Sequence, residues 1–529
     1  MTLFDLKNNP LFLQGWRERN RFSAVTSAVT LISIIVIILF VSAFLNETYV
    51  YNYIPQGNSY KTERILLPWA RKFLLDLSIL QGIVLFLFGC VNAYKMAARE
   101  RTSGTVDFHR SSPTPRRNQI AGLVLGSTSL EWWVFIGIFF IELILTLLMD
   151  IPLWAVLQFN LQLAVCGLFY QTIFSLIGIS RHPLKNKAGP FVILIGVYIL
   201  GQLLIYNKMS FFNQLTWLPA YSLFDLVIKG VENPDYGGYY QRHSRELLYM
   251  LFGTKLNPLL FQLMVQIPFT ALCLVGIGRR FSNLDQPVFS KPQTLLATFY
   301  TFILFTGSFV SILLMGQDGY YSTAHHVGFL LYFILTFGIG GAILATPNYL
   351  SFIRGLRRAK KLNLSKINSA DNSSSNGMWL VVFCFIATVT LSFFYIYFKI
   401  QTLSAVMATA TVLSYVIFFA SFLEFYQLSR YHNKKGIAWT IIIIFWVLIP
   451  VFGLVTKKII QDSVVYKFLL APSPFFGGLE PVIRIMNPSR HSYTNPEMSL
   501  GISLSVAGGM AVIAAVLAYL QRQKLKNQA

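Results

Sequence analysis

The chain has 529 residues, 55% of them hydrophobic and only 12% charged, so most side chains must meet lipid or other apolar helices rather than water. That excludes a water-soluble fold. The net charge of +22 would suggest nucleic acid in a soluble protein, but the basic residues fall in loops between apolar stretches, and no nucleic-acid partner is expected.

First in chain order comes the stretch Asn9 to Arg19. On a helical wheel Leu11, Phe12, Trp16 and Phe22 share a sector while Gln14, Arg17, Glu18 and Arg21 lie opposite, which predicts an amphipathic helix at the membrane surface. The apolar stretch after it, Ala24 to Leu45, exceeds the core of a signal peptide and is expected to remain as the first span. A bilayer core about 30 Å thick needs about 20 apolar residues of helix, and hydropathy broken at charged, Pro and Gly clusters predicts about twelve such spans. They lie near 24–45, 73–94, 128–149, 152–180, 190–206 and 259–278, then near 294–315, 326–346, 378–398, 402–428, 437–455 and 499–520. The expected fold is therefore all-α, a polytopic helical membrane protein.

Placing both termini in the cytoplasm puts about 28 Lys and Arg residues on that side and about 15 outside, as the positive-inside rule requires. A multi-pass protein of the cytoplasmic membrane is expected. Its features come twice in the same order, which predicts two six-span halves, 1–280 and 281–529. Each half has a basic cytoplasmic loop after its second span, at 95–119 and 347–376, and a broken external segment before its sixth, at 207–258 and 456–498. The aromatic, Pro-containing stretches Leu215 to Phe224 and Leu470 to Phe476 suit short re-entrant or interfacial helices; ordinary loops with aromatic anchors are the alternative. The join Arg279 to Pro292 reads as a cytoplasmic linker, and Asn368 to Asn376 as a flexible loop.

Chemistry is sparse. Cys90, Cys166, Cys273 and Cys384 have no paired spacing and read as small apolar packing residues. His325 and His326 are adjacent and do not share a helix face, so no metal site is expected there. No phosphate-cradling G-x-x-x-x-G-K-[ST] loop, nucleophile elbow or H-E-x-x-H occurs, so the chain is expected neither to hydrolyse ATP nor to hold a cofactor or metal. Glu142 lies about two turns inside its span, where a charge is costly, and is a candidate for a polar translocation path, with helix-to-helix hydrogen bonding as the alternative. Asp76, Glu131 and Glu424 lie near span ends, where they can snorkel or pair.

The most informative stretch is Glu100-Arg101-Thr102-Ser103-Gly104-Thr105-Val106-Asp107, leading into Ser111-Ser112-Pro113-Thr114-Pro115. It predicts a short helix stopped by the proline pair before the chain turns back to the membrane. Here the sequence resembles the permease subunits of type 2 ATP-binding-cassette (ABC) exporters, whose loop after the second span reads E-R-x-x-G-T and then a small-residue-Pro turn. Glu100, Arg101, Gly104, Thr105, Ser112 and Pro113 match it. The resemblance implies that this loop is a coupling helix docking on a separate ATP-binding subunit, in two copies, which holds the ATP and magnesium. It also implies that Asn9 to Arg19 is the connecting helix at the cytoplasmic surface. The second loop keeps the position and basic charge through Arg354, Gly355, Arg357 and Arg358 but lacks the motif order, and is expected as a second, degenerate coupling loop that accepts a different ATPase face or binds more weakly. A twelve-span ion-coupled secondary transporter is the competing expectation, disfavoured by the scarcity of deep ionisable residues.

Overall fold

The computed structural model describes residues 9–45, 51–56, 59–64, 68–111, 114–148, 153–180, 250–282, 288–314, 323–347, 349–364, 367–368, 371–397, 402–429, 440–449, 451–452, 464–474 and 496–528. Among these, the protein is helical apart from two short antiparallel hairpins. Seven helices are long and apolar enough to cross a membrane: Val25–Ala43, Lys72–Thr102, Ser129–Leu147, Leu153–Ser180, Pro258–Ser282, Ala405–Leu428 and Met498–Gln528. The chain is thus a multi-pass helical membrane protein. Helices Lys291–Leu314, Thr323–Ala345 and Gly377–Tyr397 lie on three further expected spans, and the span expected at 190–206 lies outside the described residues.

The chain forms two compact units, Met1–Leu284 with Gly307–Met315, and Asp285–Thr306 with Gly316–Ala529. In the first unit α1 (Pro10–Arg19) precedes α2 (Phe22–Leu45), and a hairpin pairs β1 (Tyr51–Gln56) with β2 (Ser59–Arg64). Next, α3 (Pro68–Ile83) runs through a π segment (Val84–Gly89) into α4 (Cys90–Thr102). A π turn widens the helix and leaves carbonyls poorly served. Gln171 meets this by donating to the Leu85 carbonyl at 3.4 Å.

Short α5 (Thr105–Ser111) then leads to α6 (Arg116–Ser127), α7 (Ser129–Leu148) and α8 (Leu153–Ser180). Phe73, Leu74, Leu77, Leu85, Ile138, Phe159 and Leu163 form the buried core of these helices. Lower down, α4 and α8 approach closely because Gly178 faces the Tyr94 carbonyl, where a Cβ would come within 2.6 Å. Small residues let helix backbones meet without a hydrophobic drive between them, which lipid cannot supply.

A second hairpin, β3 (Met250–Leu251) with β4 (Thr254–Lys255), turns through Phe252 and Gly253 at positive φ of 51° and 76°. Its turn is fastened to α10 (Lys291–Leu314): the Phe252 amide donates to the Gly307 carbonyl at 2.8 Å and the Gly253 amide to the Ser311 hydroxyl at 3.0 Å. It leads into α9 (Pro258–Ser282). The Leu215 to Phe224 stretch of this external segment lies outside the described residues.

The second unit holds α11 (Thr323–Ala345), α12 (Tyr349–Lys361), α13 (Gly377–Tyr397), α14 (Thr402–Leu428), a π segment (Ile444–Leu448), α15 (Val464–Leu470) and α16 (Pro496–Gln528). Buried Ala408 of α14 and buried Ala507, Ala511, Ala514 and Ala518 of α16 keep the interface between those two helices shallow. After α15 the chain breaks at Ala471 and Pro472, which are buried, and Tyr415 donates its hydroxyl to the Ala471 carbonyl. The described part of the segment at 456–498 thus contains a short helix ending in buried non-helical backbone.

Candidate functional site

The site begins with two crossings that fix α1 and α6. Asn9 caps α1, accepting from the Leu11 and Phe12 amides at 3.1 and 3.3 Å, with Pro10 at the first helical position. The same side chain donates to the Asn118 carbonyl, beside Gly122. One helix turn on, a Cβ on Gly15 would lie 2.7 Å from the Gly126 carbonyl carbon. The helix predicted over this stretch is present, and it buries Leu11 and Gly15 against α6. Its last turn is locked electrostatically: Arg19 pairs with buried Glu131 of α7, which also accepts from Asn92 of α4 at 2.6 Å, and Arg99 pairs with Glu18 at 2.7 Å.

Glu100 stands at the centre of this frame. It is only 1% exposed. Its carboxylate accepts from the Thr105 hydroxyl and from Gln14 of α1 at 3.4 Å, and lies 3.4 Å from His109 Nε2. Through these contacts Glu100 holds α5 and α1 to the end of α4. Arg101 extends the brace by donating to the Ile179 carbonyl of α8 at 3.0 Å. Gly104 sits at φ +73°, the left-handed turn that separates α4 from α5, and a side chain there would meet nothing. Ser112 and Pro113 lie outside the described residues.

Held this way, α5 buries Val106 and His109 and turns Asp107 and Phe108 outward. Phe108 is 70% exposed. An aromatic ring that pays this much water contact on a seven-residue helix is the feature the E-R-x-x-G-T pattern does not name. Its only sequence signal is the apolar pair Val106 and Phe108 inside a basic loop.

Deep in the same unit Glu142 accepts from Asn160 of α8 at 2.8 Å, and Asn160 accepts from Gln81 of α3 at 2.9 Å. Glu142 is fully buried, and its second carboxylate oxygen has no hydrogen-bond partner. The geometry makes it a hydrogen-bonded link between α3, α7 and α8. Among the described residues no three metal-ligating side chains gather.

In the second unit, Arg354, Arg357 and Arg358 lie on the exposed side of α12, while Gly355 packs against Ser373. Asn368 to Asn376, expected as a flexible loop, is instead a buried polar clasp in its described part: Ser373, Ser374 and Asn376 are buried. Lys291 at the start of α10 donates from Nζ to the Ser374 and Ser375 carbonyls and to the Ser374 hydroxyl, and Asn376 donates to the Ala420 carbonyl at 2.9 Å. An ammonium with three donors organises carbonyls that a serine-rich turn would otherwise leave to water. Burial pushes the Lys291 ammonium down to about 8, against the pull of Glu424 and Asp371. Glu424 lies 3.5 Å from Arg522 of α16, so this span-end acid is paired.

No family model, curated protein or solved structure matches this chain.

Proposed function

We propose that this chain is the membrane permease of an ATP-driven ABC transporter of the exporting kind, working with separate ATP-binding subunits that carry ATP and magnesium. The observation that supports it best is α5: a short helix between two long ones, braced from within by Glu100 and offering Phe108 outward. A partner that grips Phe108 would move α4 and α6 together, because Glu100 and Val106 hold α5 to that frame. α4 continues through the π segment into α3, and α6 is followed after one residue by α7, so a push at the loop reaches two apolar helices. The chain performs no covalent chemistry in this scheme; it alternates between conformations that a partner's ATP cycle biases.

Co-purification with the ATP-binding subunit tests this. Phe108→Ala is expected to weaken the complex by about tenfold or more, as for an aromatic interface anchor, while Phe108→Leu retains most of it. An intact complex and unaltered transport in Phe108→Asp would refute the assignment.

An ion-coupled transporter is the second reading, and Glu142 with its Asn160 and Gln81 partners is the observation that favours it. Transport that persists without any ATP-binding subunit and collapses when the ion gradient is dissipated would establish it instead.

A further inference from the structure

Helix α12, which stands where a second coupling helix is expected, has a sharp division of faces. Phe352, Gly355 and Ala359 are buried, with Phe352 packed on Leu428 of α14 and Leu525 of α16. Arg354, Arg357, Arg358, Lys360 and Lys361 are all exposed. From Tyr349 to Asn368 the sequence holds six basic residues and no acidic one. Arg358 lies 3.5 Å from Asp371.

Three further observations place this face at a particular depth. Only Thr346, Pro347 and Asn348 separate α12 from the apolar helix α11, a link that spans at most about 11 Å, so α12 cannot leave the neighbourhood of the headgroups at that helix end. The helix stops in a Schellman motif: the Leu364 amide donates to the Ala359 carbonyl at 2.9 Å and the Asn363 amide to the Lys360 carbonyl at 3.1 Å, with Asn363 at φ +53°. That cap fixes Leu362 and Leu364 at one end of the basic face, and Leu350 stands at the other; all three are more than half exposed. Cations flanked by exposed leucines match a headgroup layer, where phosphates meet the charges and acyl chains take the leucines. An acidic protein surface would satisfy the charges and leave the leucines in water.

We propose that the outer face of α12 is a binding site for anionic phospholipid, with Arg354, Arg357, Lys360 and Lys361 on the phosphate groups and Leu350, Leu362 and Leu364 among the acyl chains. The second unit is then anchored to the leaflet by the element that stands where a second coupling helix is expected. The site does not depend on the transport reading, since it needs only a helix at a bilayer surface.

The test uses the full chain in nanodiscs of mixed phosphatidylglycerol and phosphatidylcholine, with retained lipid counted by native mass spectrometry after extraction. The native chain is expected to retain phosphatidylglycerol on the order of tenfold over phosphatidylcholine, falling steeply with salt. R354Q/R357Q/K360Q/K361Q is expected to lose that preference and R354K/R357K to keep it, which separates charge from folding. Equal retention of both lipids by the native chain would overturn the site. So would an undiminished preference in the glutamine variant, or a glutamine variant that loses only an acidic protein partner while its lipid preference stands.

Discussion

Glu100 shows how one buried carboxylate can serve an exposed surface. Its carboxylate accepts from Thr105 and Gln14; truncation removes the Gln14 acceptor and one of the Thr105 contacts, since the Thr105 hydroxyl also reaches the Glu100 backbone carbonyl at 3.1 Å, at a cost of about 1 kcal/mol. Glu100→Ala is accordingly expected to loosen α5, raising protease sensitivity between Thr102 and Ser111 while the transmembrane helices stay protected. Limited proteolysis followed by mass mapping reads this directly. Glu142 presents the opposite case, a carboxyl whose partners are all internal. Glu142→Gln keeps an acceptor for Asn160 and is expected to change stability by no more than about 1 kcal/mol, whereas Glu142→Ala leaves one buried Asn160 N–H without its acceptor, the other staying on the Val156 carbonyl, and costs about 1–3 kcal/mol. Thermal unfolding in detergent measures both; transport lost in the glutamine variant with stability intact would move Glu142 from a helix link to the translocation path.

At the scale of elements, glycines decide which helices touch. The crossing of α1 on α6 needs Gly15 and Gly126, since a Cβ on Gly126 would sit 3.0 Å from both the Phe12 Cα and its carbonyl oxygen. Gly126→Leu is expected to undock α1 and destabilise the first unit by about 1–3 kcal/mol, as overpacking does. A cysteine placed at Leu11, buried in the native arrangement, should then become reactive toward a soluble maleimide; unchanged protection would disprove the crossing. The sequence predicts α1 as a helix at its place in the chain, but not its docking on α6. The wheel showed an apolar sector, but the contact runs through two glycines whose meeting depends on α6. Conversely, α12 carries the sharper division of faces and the loop pattern registered only its charge.

For the whole molecule the distribution of basic residues predicts cytoplasmic termini, and reporter fusions test it. A fluorescent protein at the C-terminus is expected to fold and fluoresce in the cytoplasm, and alkaline phosphatase joined within the 250–255 hairpin to be active outside. The reverse pattern would invert every side assigned to the loops, including α5 and α12. The two units differ in what they offer: the first presents an aromatic residue on a braced short helix, the second a basic face with leucines at its ends.

By itself the sequence determined that this is a helical membrane protein, because lipid accepts only long apolar stretches that satisfy their own backbone hydrogen bonds, and that constraint is written in hydropathy. It also marked the positions of the two basic loops and the one E-R-x-x-G-T segment. Even the first hairpin left a trace in Gly57 and Asn58, the dipeptide between its strands, which a search for spans passes over. Tertiary structure alone decided that Glu100 is a buried brace, that Phe108 faces outward, and that the serine-rich stretch after α12 is a clasp. The clasp forms around Lys291, 83 residues from Ser374 in sequence. Burial and hydrogen-bond partnership are properties of neighbours brought together by folding, and no local pattern of residue types contains them.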